Sequence, residues 1–286
     1  MRDLKVLRTK HEVQKELLAL RGEGKRIGFV PTMGALHQGH FALMQKAHEF
    51  ADEVVVSIFV NPTQFGPNED FDTYPRTFED DLDHCRRENV SLVFAPEVSE
   101  MYVKENYIKF SLRSLGDHLC GASRQGHFDG VIQIVNKLFN IIRPDVAVFG
   151  QKDIQQFRIL DRMVTEFDHQ IEMVMGETVR TADGLALSSR NVYLSNEERL
   201  IAPQLHQTLL EIGRKAKLGE ITNPPDAIRA YTNELNHSGF KTDYLQIVRW
   251  EDLQPATHLQ KENKYIIAGA VFLGKTRLID NVIIEL

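Results

Sequence analysis

The chain has 286 residues, of which 42 % are hydrophobic and 26 % charged, a composition that fits a globular protein of one large or two smaller domains and argues against disorder. Its 34 basic and 40 acidic side chains give a formal net charge of −6, which speaks against a surface built to wrap nucleic acid. No apolar run reaches the ~18 residues that span a bilayer. Met1-Arg2-Asp3-Leu4-Lys5 lacks the apolar core of a signal peptide, and Cys85 and Cys120 form no disulfide framework or zinc motif, so a cytoplasmic, membrane-free protein is expected.

Residues 11–21 carry Val13, Leu17, Leu18 and Leu20 at helical spacing, and Gly22 and Gly24 end the segment. A strand over 26–31 follows, then a glycine turn, then a helix whose apolar face holds Phe41, Leu43, Met44, Ala47 and Phe50. Residues 53–60 are almost continuously apolar, as in a strand buried on both faces of a parallel sheet. The prolines and glycine of 61–67 forbid continuation of that strand.

A charged helix over 77–89 is predicted, with Thr77 as its N-cap, followed by a strand over 91–95 that Pro96 stops. A short extended piece is expected near Ile108-Lys109-Phe110. The polar loop 124–130 leads to a helix over 131–142, a strand over 146–149, a helix opened by Gly150-Gln151-Lys152-Asp153, and a strand over 170–175. This alternation predicts a doubly wound, Rossmann-like parallel sheet.

Beyond residue 176 the pattern changes. The turn Asp183-Gly184 is followed by helices over 196–218, capped by Ser195, and over 225–237, entered at Pro224-Pro225. Strands are predicted over 242–249, 264–273 and 277–285. The expected organisation is a sheet domain over 1–176 and a smaller α+β domain over 177–286. Gly269-Ala270-Val271-Phe272-Leu273-Gly274-Lys275-Thr276 matches the phosphate-loop pattern, but it lies between two strand-like runs with no helix after it, so Gly274-Lys275 is predicted to be a hairpin turn.

The stretch Pro31-Thr32-Met33-Gly34-Ala35-Leu36-His37-Gln38-Gly39-His40 carries the chemistry. A helix start after a buried strand offers unpaired N–H groups and a positive dipole end to a phosphate, and His37 and His40 project from the same first turn. Further polar clusters stand at or beyond strand ends: Asn61/Gln64, Asp80/Asp81, 150–156 and Ser188-Ser189-Arg190. Lys152 at a helix start opposes the dipole preference, which favours an anionic ligand there. Gln155 and Gln156 are adjacent, so at most one is expected to face the site. His127 leans toward a functional role and His84 toward a surface one.

His37-Gln38-Gly39-His40 resembles the HxGH signature of nucleotidyl-transferring α/β enzymes. The wider set is similar to the pantoate–β-alanine ligase family. It comprises Pro31–His40, Phe59-Val60-Asn61-Pro62 with Gln64-Phe65-Gly66-Pro67, Tyr74-Pro75-Arg76, Gly126-His127-Phe128, Lys152-Asp153 with Gln155-Gln156, and Asp183-Gly184-Leu185-Ala186 with Ser188-Ser189-Arg190-Asn191. Gln151 and Gln125 depart from the Glu and Pro usual at those places.

The resemblance implies attack of the D-pantoate carboxylate on the α-phosphate of ATP, giving pantoyl adenylate and pyrophosphate. Attack by the β-alanine amine then gives pantothenate and AMP. It assigns catalysis to His37, His40, Lys152 and Arg190. ATP would lie along Met33, Gly39, His40, Gly150, Lys152, Asp153, Val179, Leu187, Ser188, Ser189 and Arg190. Pantoate would lie along Met33, Asn61, Gln64 and Gln156, whose neutral amides hold a carboxylate without pairing it as an ion. It also implies Mg²⁺ on Asp80 and Asp81, closure of the second domain's Ser188–Arg190 loop, and a homodimer. Rival expectations are a nucleotidyltransferase that keeps the nucleotide on its product, a class I aminoacyl-tRNA synthetase, and an ATP-binding regulatory module.

Overall fold

The structure, a computed structural model, describes residues 4–67, 69, 71–102 and 107–286; Met1-Arg2-Asp3 of the amino-terminal stretch discussed above lie outside them. The chain forms two compact units, each discontinuous in sequence. The first comprises 1–111, 126–151 and 156–177, and the second 112–125, 152–155 and 178–286.

The first unit is built on a parallel sheet of β1 (Lys5–Leu7), β2 (Ile27–Thr32), β3 (Glu53–Ile58), β4 (Leu92–Phe94), β5 (Val146–Gly150) and β6 (Glu172–Gly176), in the order β1-β4-β3-β2-β5-β6. Its helices are α1 (Lys10–Gly22), α2 (Gln38–His48), α3 (Phe78–Arg87), α4 (Val98–Met101), α6 (His127–Ile142) and most of α7 (Ile154–Glu166).

Alternate strand residues feed opposite faces. Val30, Val54, Val56, Val93, Val146 and Val148 pack with Phe41, Met44 and Ala47 of α2 and Leu82 and Cys85 of α3. Phe29 and Phe149, on the other face, meet Phe139 of α6 edge-on. Covered on both sides, the strands read as near-continuous apolar runs, which is why they were visible in the sequence. The helices start where local chemistry dictates: Thr9 and Glu12 form a reciprocal capping box at α1, worth ~1 kcal/mol for such a cap.

The second unit is a three-stranded antiparallel sheet of β7 (Lys241–Arg249), β8 (Lys264–Leu273) and β9 (Thr276–Glu285), in that order. It is covered by α8 (Asn196–Ile201), α9 (Gln204–Lys217) and α10 (Pro224–His237), and the short α5 (Cys120–Ser123) belongs to the same unit. Leu205, Leu209, Ile212 and Ala216 of α9 bury against Leu245, Ile267, Val271 and Ile284 of the sheet. Gly274-Lys275 joins β8 to β9, with Leu273 paired to Thr276, so the phosphate-loop pattern is a hairpin turn as expected.

Residues 108–110, expected as a short extended piece, lie outside every strand, and Tyr107 and Ile108 are exposed. Two local expectations are corrected. The helix expected over 196–218 is two helices, because Pro203 has no N–H to donate and its ring crowds the preceding turn. Thr77 starts α3 without capping it, since its hydroxyl donates to the side chain of Asp81 instead.

Candidate active site

The strand order reverses between β2 and β5, the place where open α/β sheets bind ligands beyond their carboxyl ends. Pairing of β2 with β5 covers only Gly28–Val146 and Phe29–Ala147, so it stops short of the carboxyl ends. From the end of β2 the chain turns through Met33, Gly34 and Ala35 and enters α2 at His37.

Both histidines cap this helix. His37 Nδ1 accepts from the amide of Gly39 at 3.1 Å, and His40 Nδ1 accepts from the amide of His37 at 3.2 Å. The rings stack obliquely with centroids 4.2 Å apart. A ring nitrogen that accepts cannot carry the proton, so each neutral imidazole is protonated on Nε2 and presents a donor there. Gly39 is required by this arrangement: a Cβ would lie 2.9 Å from Cε1 of His37. The amides of His40 and Phe41 donate to His37 O, at 2.7 and 3.2 Å. The expected supply of unpaired helix-start N–H groups is therefore largely spent inside the loop.

Asp81 holds the loop in shape. Its carboxylate is 1 % exposed and accepts from the amides of Ala35 at 3.0 Å and Leu36 at 2.8 Å, and from the Thr77 hydroxyl at 3.2 Å. Ala35 sits at φ +51°, a left-handed conformation that costs a non-glycine residue energy and that these bonds secure. Burial pushes the Asp81 carboxyl above its ordinary range, opposed by the hydrogen bonds from Leu36, Ala35 and Thr77.

The Mg²⁺ expected on Asp80 and Asp81 does not fit these residues. Asp81 spends both oxygens on the loop, while its helix neighbour Asp80 is exposed. Among the described residues no group of three or more His, Cys, Asp or Glu is placed to hold a metal ion.

At the end of β3, Pro62–Gln64 forms one 3₁₀ turn capped by Asn61. Gln64 Nε2 lies 2.9 Å from Met33 Sδ, so the two side chains expected on pantoate are neighbours. The Nδ1–H of His127 donates to Gln64 O at 2.7 Å, which gives His127 a supporting task for that turn. His84 packs its ring on Phe41 with centroids 4.5 Å apart. Gly150 closes β5, and Gln156, part-buried on α7, belongs to the same unit.

The second unit carries the cationic residues. Lys152 and Asp153, in a 3₁₀ turn ahead of α7, form an ion pair at 3.5 Å. Asn281 of β9, 1 % exposed, donates from Nδ2 to Lys152 O at 3.0 Å. Beside it the buried Asp280 takes Arg180 bidentately, at 2.6 and 2.8 Å, with His206 Nδ1 3.1 Å away. Burial would raise the Asp280 carboxyl, but His206 and Arg180 hold it below the ordinary aspartate value of 3.8.

Arg180 lies in a small antiparallel turn where Leu187 N donates to Val179 O and Thr181 N to Leu185 O, both at 2.9 Å. Ser188 then caps the 3₁₀ turn Ser189–Tyr193 by accepting from the amide of Arg190 at 3.3 Å. Gln155 does not face a ligand. Its amide donates to Leu115 O and His118 O and accepts from Gly121 N, stitching 112–121 to 155. Asp280, Asn281 and Arg180 carry no local signal in the sequence, because their roles rest on pairings about 100 residues or more apart, which no local spacing encodes.

A model of the pantoate-beta-alanine ligase family matches residues 5–283. The chain belongs to this family. The pantothenate synthetase of Fervidobacterium nodosum is 50 % identical over 282 residues, 99 % of this chain and 100 % of that protein. The pantothenate synthetase of Stutzerimonas stutzeri is 47 % identical over 99 % of both chains. The crystal structure of the Thermus thermophilus pantothenate synthetase superposes with a TM-score of 0.87 at 41 % identity, covering 97 % of this chain and 98 % of that one. The Francisella tularensis pantoate-beta-alanine ligase, solved with beta-gamma ATP and beta-alanine, gives a TM-score of 0.81 at 32 % identity over 98 % of this chain and 97 % of that one. Membership in the pantoate–β-alanine ligase family agrees with a doubly wound sheet followed by a small antiparallel one.

Proposed function

We propose that this chain joins D-pantoate to β-alanine at the expense of ATP, through a pantoyl adenylate, releasing pyrophosphate and then AMP. The observation that carries the assignment of the first step is the paired capping of α2 by His37 and His40. It fixes the tautomer of both rings so that each carries its proton on Nε2, and an N–H donor of this kind stabilises negative charge on a phosphate oxygen. Adenylate formation asks the protein for positioning and for stabilisation of charge on the α-phosphate. His37, His40, Lys152, Ser188 and Arg190 supply donors for that charge, and Gln64, Gln156 and Met33 line the pantoate side. The Ser188–Arg190 turn is the segment we assign to shielding the adenylate from water. No step of this scheme requires a magnesium ion held by Asp80 or Asp81.

We further assign the enzyme to the cytoplasm as a homodimer. Support comes from the family resemblance and from two cysteines that are both free thiols; light scattering of the purified protein reads the mass directly. Among the described residues no helix is long and apolar enough to cross a membrane.

The reaction is tested by following pyrophosphate and AMP from ATP, with D-pantoate and β-alanine added singly and together. AMP that appears only with both substrates, with pantoate alone supporting pyrophosphate–ATP exchange, upholds the ligase. Pyrophosphate without AMP on another acceptor would transfer the site to the nucleotidyltransferases. Binding of ATP without turnover would make it a sensor.

A further inference from the structure

The Asn61 amide is 1 % exposed, and every polar atom on it is engaged. Its Oδ1 accepts from the Thr63 amide at 3.4 Å, from the Thr63 hydroxyl at 3.1 Å and from the Tyr102 hydroxyl at 2.7 Å. Its Nδ2 donates to Gly130 O and to Gln64 Oε1, each at 3.2 Å. A backbone N–H can only donate and a carbonyl can only accept, so Thr63 N and Gly130 O settle which end of the amide is which.

Consequently Gln64 Oε1 is held as an acceptor inside the fold, and Gln64 Nε2 is the end turned toward Met33. Close approach of α6 is part of the device: a Cβ on Gly130 would sit 2.2 Å from Thr63 O. Tyr102 is itself fixed, its ring near Phe59 and under the Lys137 ammonium, which lies 5.6 Å from the ring centroid. Burial raises the phenol above its ordinary range, with the Thr63 hydrogen bond opposing, so it stays protonated at neutral pH and able to donate.

We propose that Tyr102, acting through Asn61, is a positioning residue that fixes Gln64 as a hydrogen-bond donor and thereby selects a substrate oxygen with a lone pair at that point. The inference rests on the assignment of pantoate to Gln64. It moves Asn61 from a direct pantoate contact to the group behind the contact. A carboxylate meets the selection while remaining unpaired by any cation from this turn, so it keeps its nucleophilicity. An amide turned the other way would set oxygen against oxygen.

The test is a double-mutant cycle in initial-rate kinetics. Tyr102→Phe is expected to raise the pantoate KM roughly 5-fold, the scale of one buried hydrogen bond, with the KM values for ATP and β-alanine unchanged. In a Gln64→Ala background the same substitution should add nothing, because the group it orients is gone. Thr63→Val, which removes the other hydroxyl on Asn61 Oδ1, runs through the same cycle if the phenylalanine variant folds poorly. Equal effects in both backgrounds, an ATP KM that rises in step, or an unchanged pantoate KM overturns the inference. If Gln64→Ala itself leaves the pantoate KM unchanged, the assignment of pantoate to Gln64 fails first.

Discussion

Each unit has a buried aspartate holding a segment that carries residues of the proposed site, and the two do so by opposite electrostatics. Asp81 in the sheet unit is surrounded by main-chain amides and one hydroxyl, with no cation bonded to it. Asp280 in the second unit is clasped by Arg180 and His206. Burial therefore wins at Asp81, whose pKa rises, and loses at Asp280, whose pKa falls. The loop held without cations carries His37 and His40, the neutral donors proposed above. The segments held around the ion pair carry the charged ones, Lys152 and Arg190. A neutral clamp shapes a loop at the cost of desolvating one charge, whereas an ion-pair clamp fails badly when one partner is removed.

The largest effect should come from breaking the ion pair. Asp280→Ala leaves Arg180 part-buried without its partner, and urea unfolding at neutral pH should show a loss of about 3–5 kcal/mol. A loss comparable to a surface bridge, below about 1 kcal/mol, would erase the contrast between the two clamps.

Next come the groups the clamps deliver. His37→Ala and Lys152→Ala should each lower pantoate-dependent pyrophosphate–ATP exchange by roughly 10²-fold, or ~2.7 kcal/mol, with the fold intact, although losing the His37 cap should itself cost ~1 kcal/mol of stability. A variant that folds normally and exchanges at the wild-type rate removes that residue from the chemistry. An intermediate result sharpens the comparison, since it ranks neutral against cationic donors at the phosphate.

Third is the neutral clamp itself. Asp81→Ala strands the amides of Ala35 and Leu36 and should cost about 1–3 kcal/mol in urea unfolding. It should also slow exchange, because Ala35 then has nothing holding it at positive φ. Full exchange activity in a destabilised Asp81→Ala protein would show that the loop keeps its shape unaided.

The sequence made the donors legible and left the clamps hidden, for a physical reason. The buried strands announce themselves by continuous apolar runs, and His37, Gly39 and His40 by their position directly after one of them. Lys152 and Arg190 likewise stand in polar stretches beside strand or turn signals. What holds them is long-range. Asp81 reaches back 46 residues to Ala35, Asp280 reaches 100 to Arg180, and Asn281 reaches 129 to Lys152. Asp81 is conspicuous as an acid, but an acid at a helix start looks the same in sequence whether it binds a metal or caps a neighbouring loop. Tyr102 follows a four-residue helix with no motif around it, and only its 2.7 Å contact with Asn61 gives it a task.

The smallest expected effect separates the clamps by acid. Asp280 has a lowered folded pKa, so its contribution is present above the ordinary value of 3.8 and is lost as pH falls through the folded pKa. Asp81 has a raised folded pKa, so its linkage runs the other way: the contribution is full below 3.8 and is lost as pH rises through the folded value. Unfolding free energies should therefore be compared at pH 7 and near pH 3, for the wild type against each alanine variant. The deficit of Asp280→Ala should shrink in acid, by no more than ~1 kcal/mol at pH 3, because the rest of the linkage is lost only below the folded pKa. The deficit of Asp81→Ala should hold or grow, because protonation relieves the wild type of a buried charge while the carboxyl group still accepts from the loop. If both deficits shrink together, Asp81 is behaving as an ordinary paired carboxylate, and a cation from elsewhere in the fold must be reaching it.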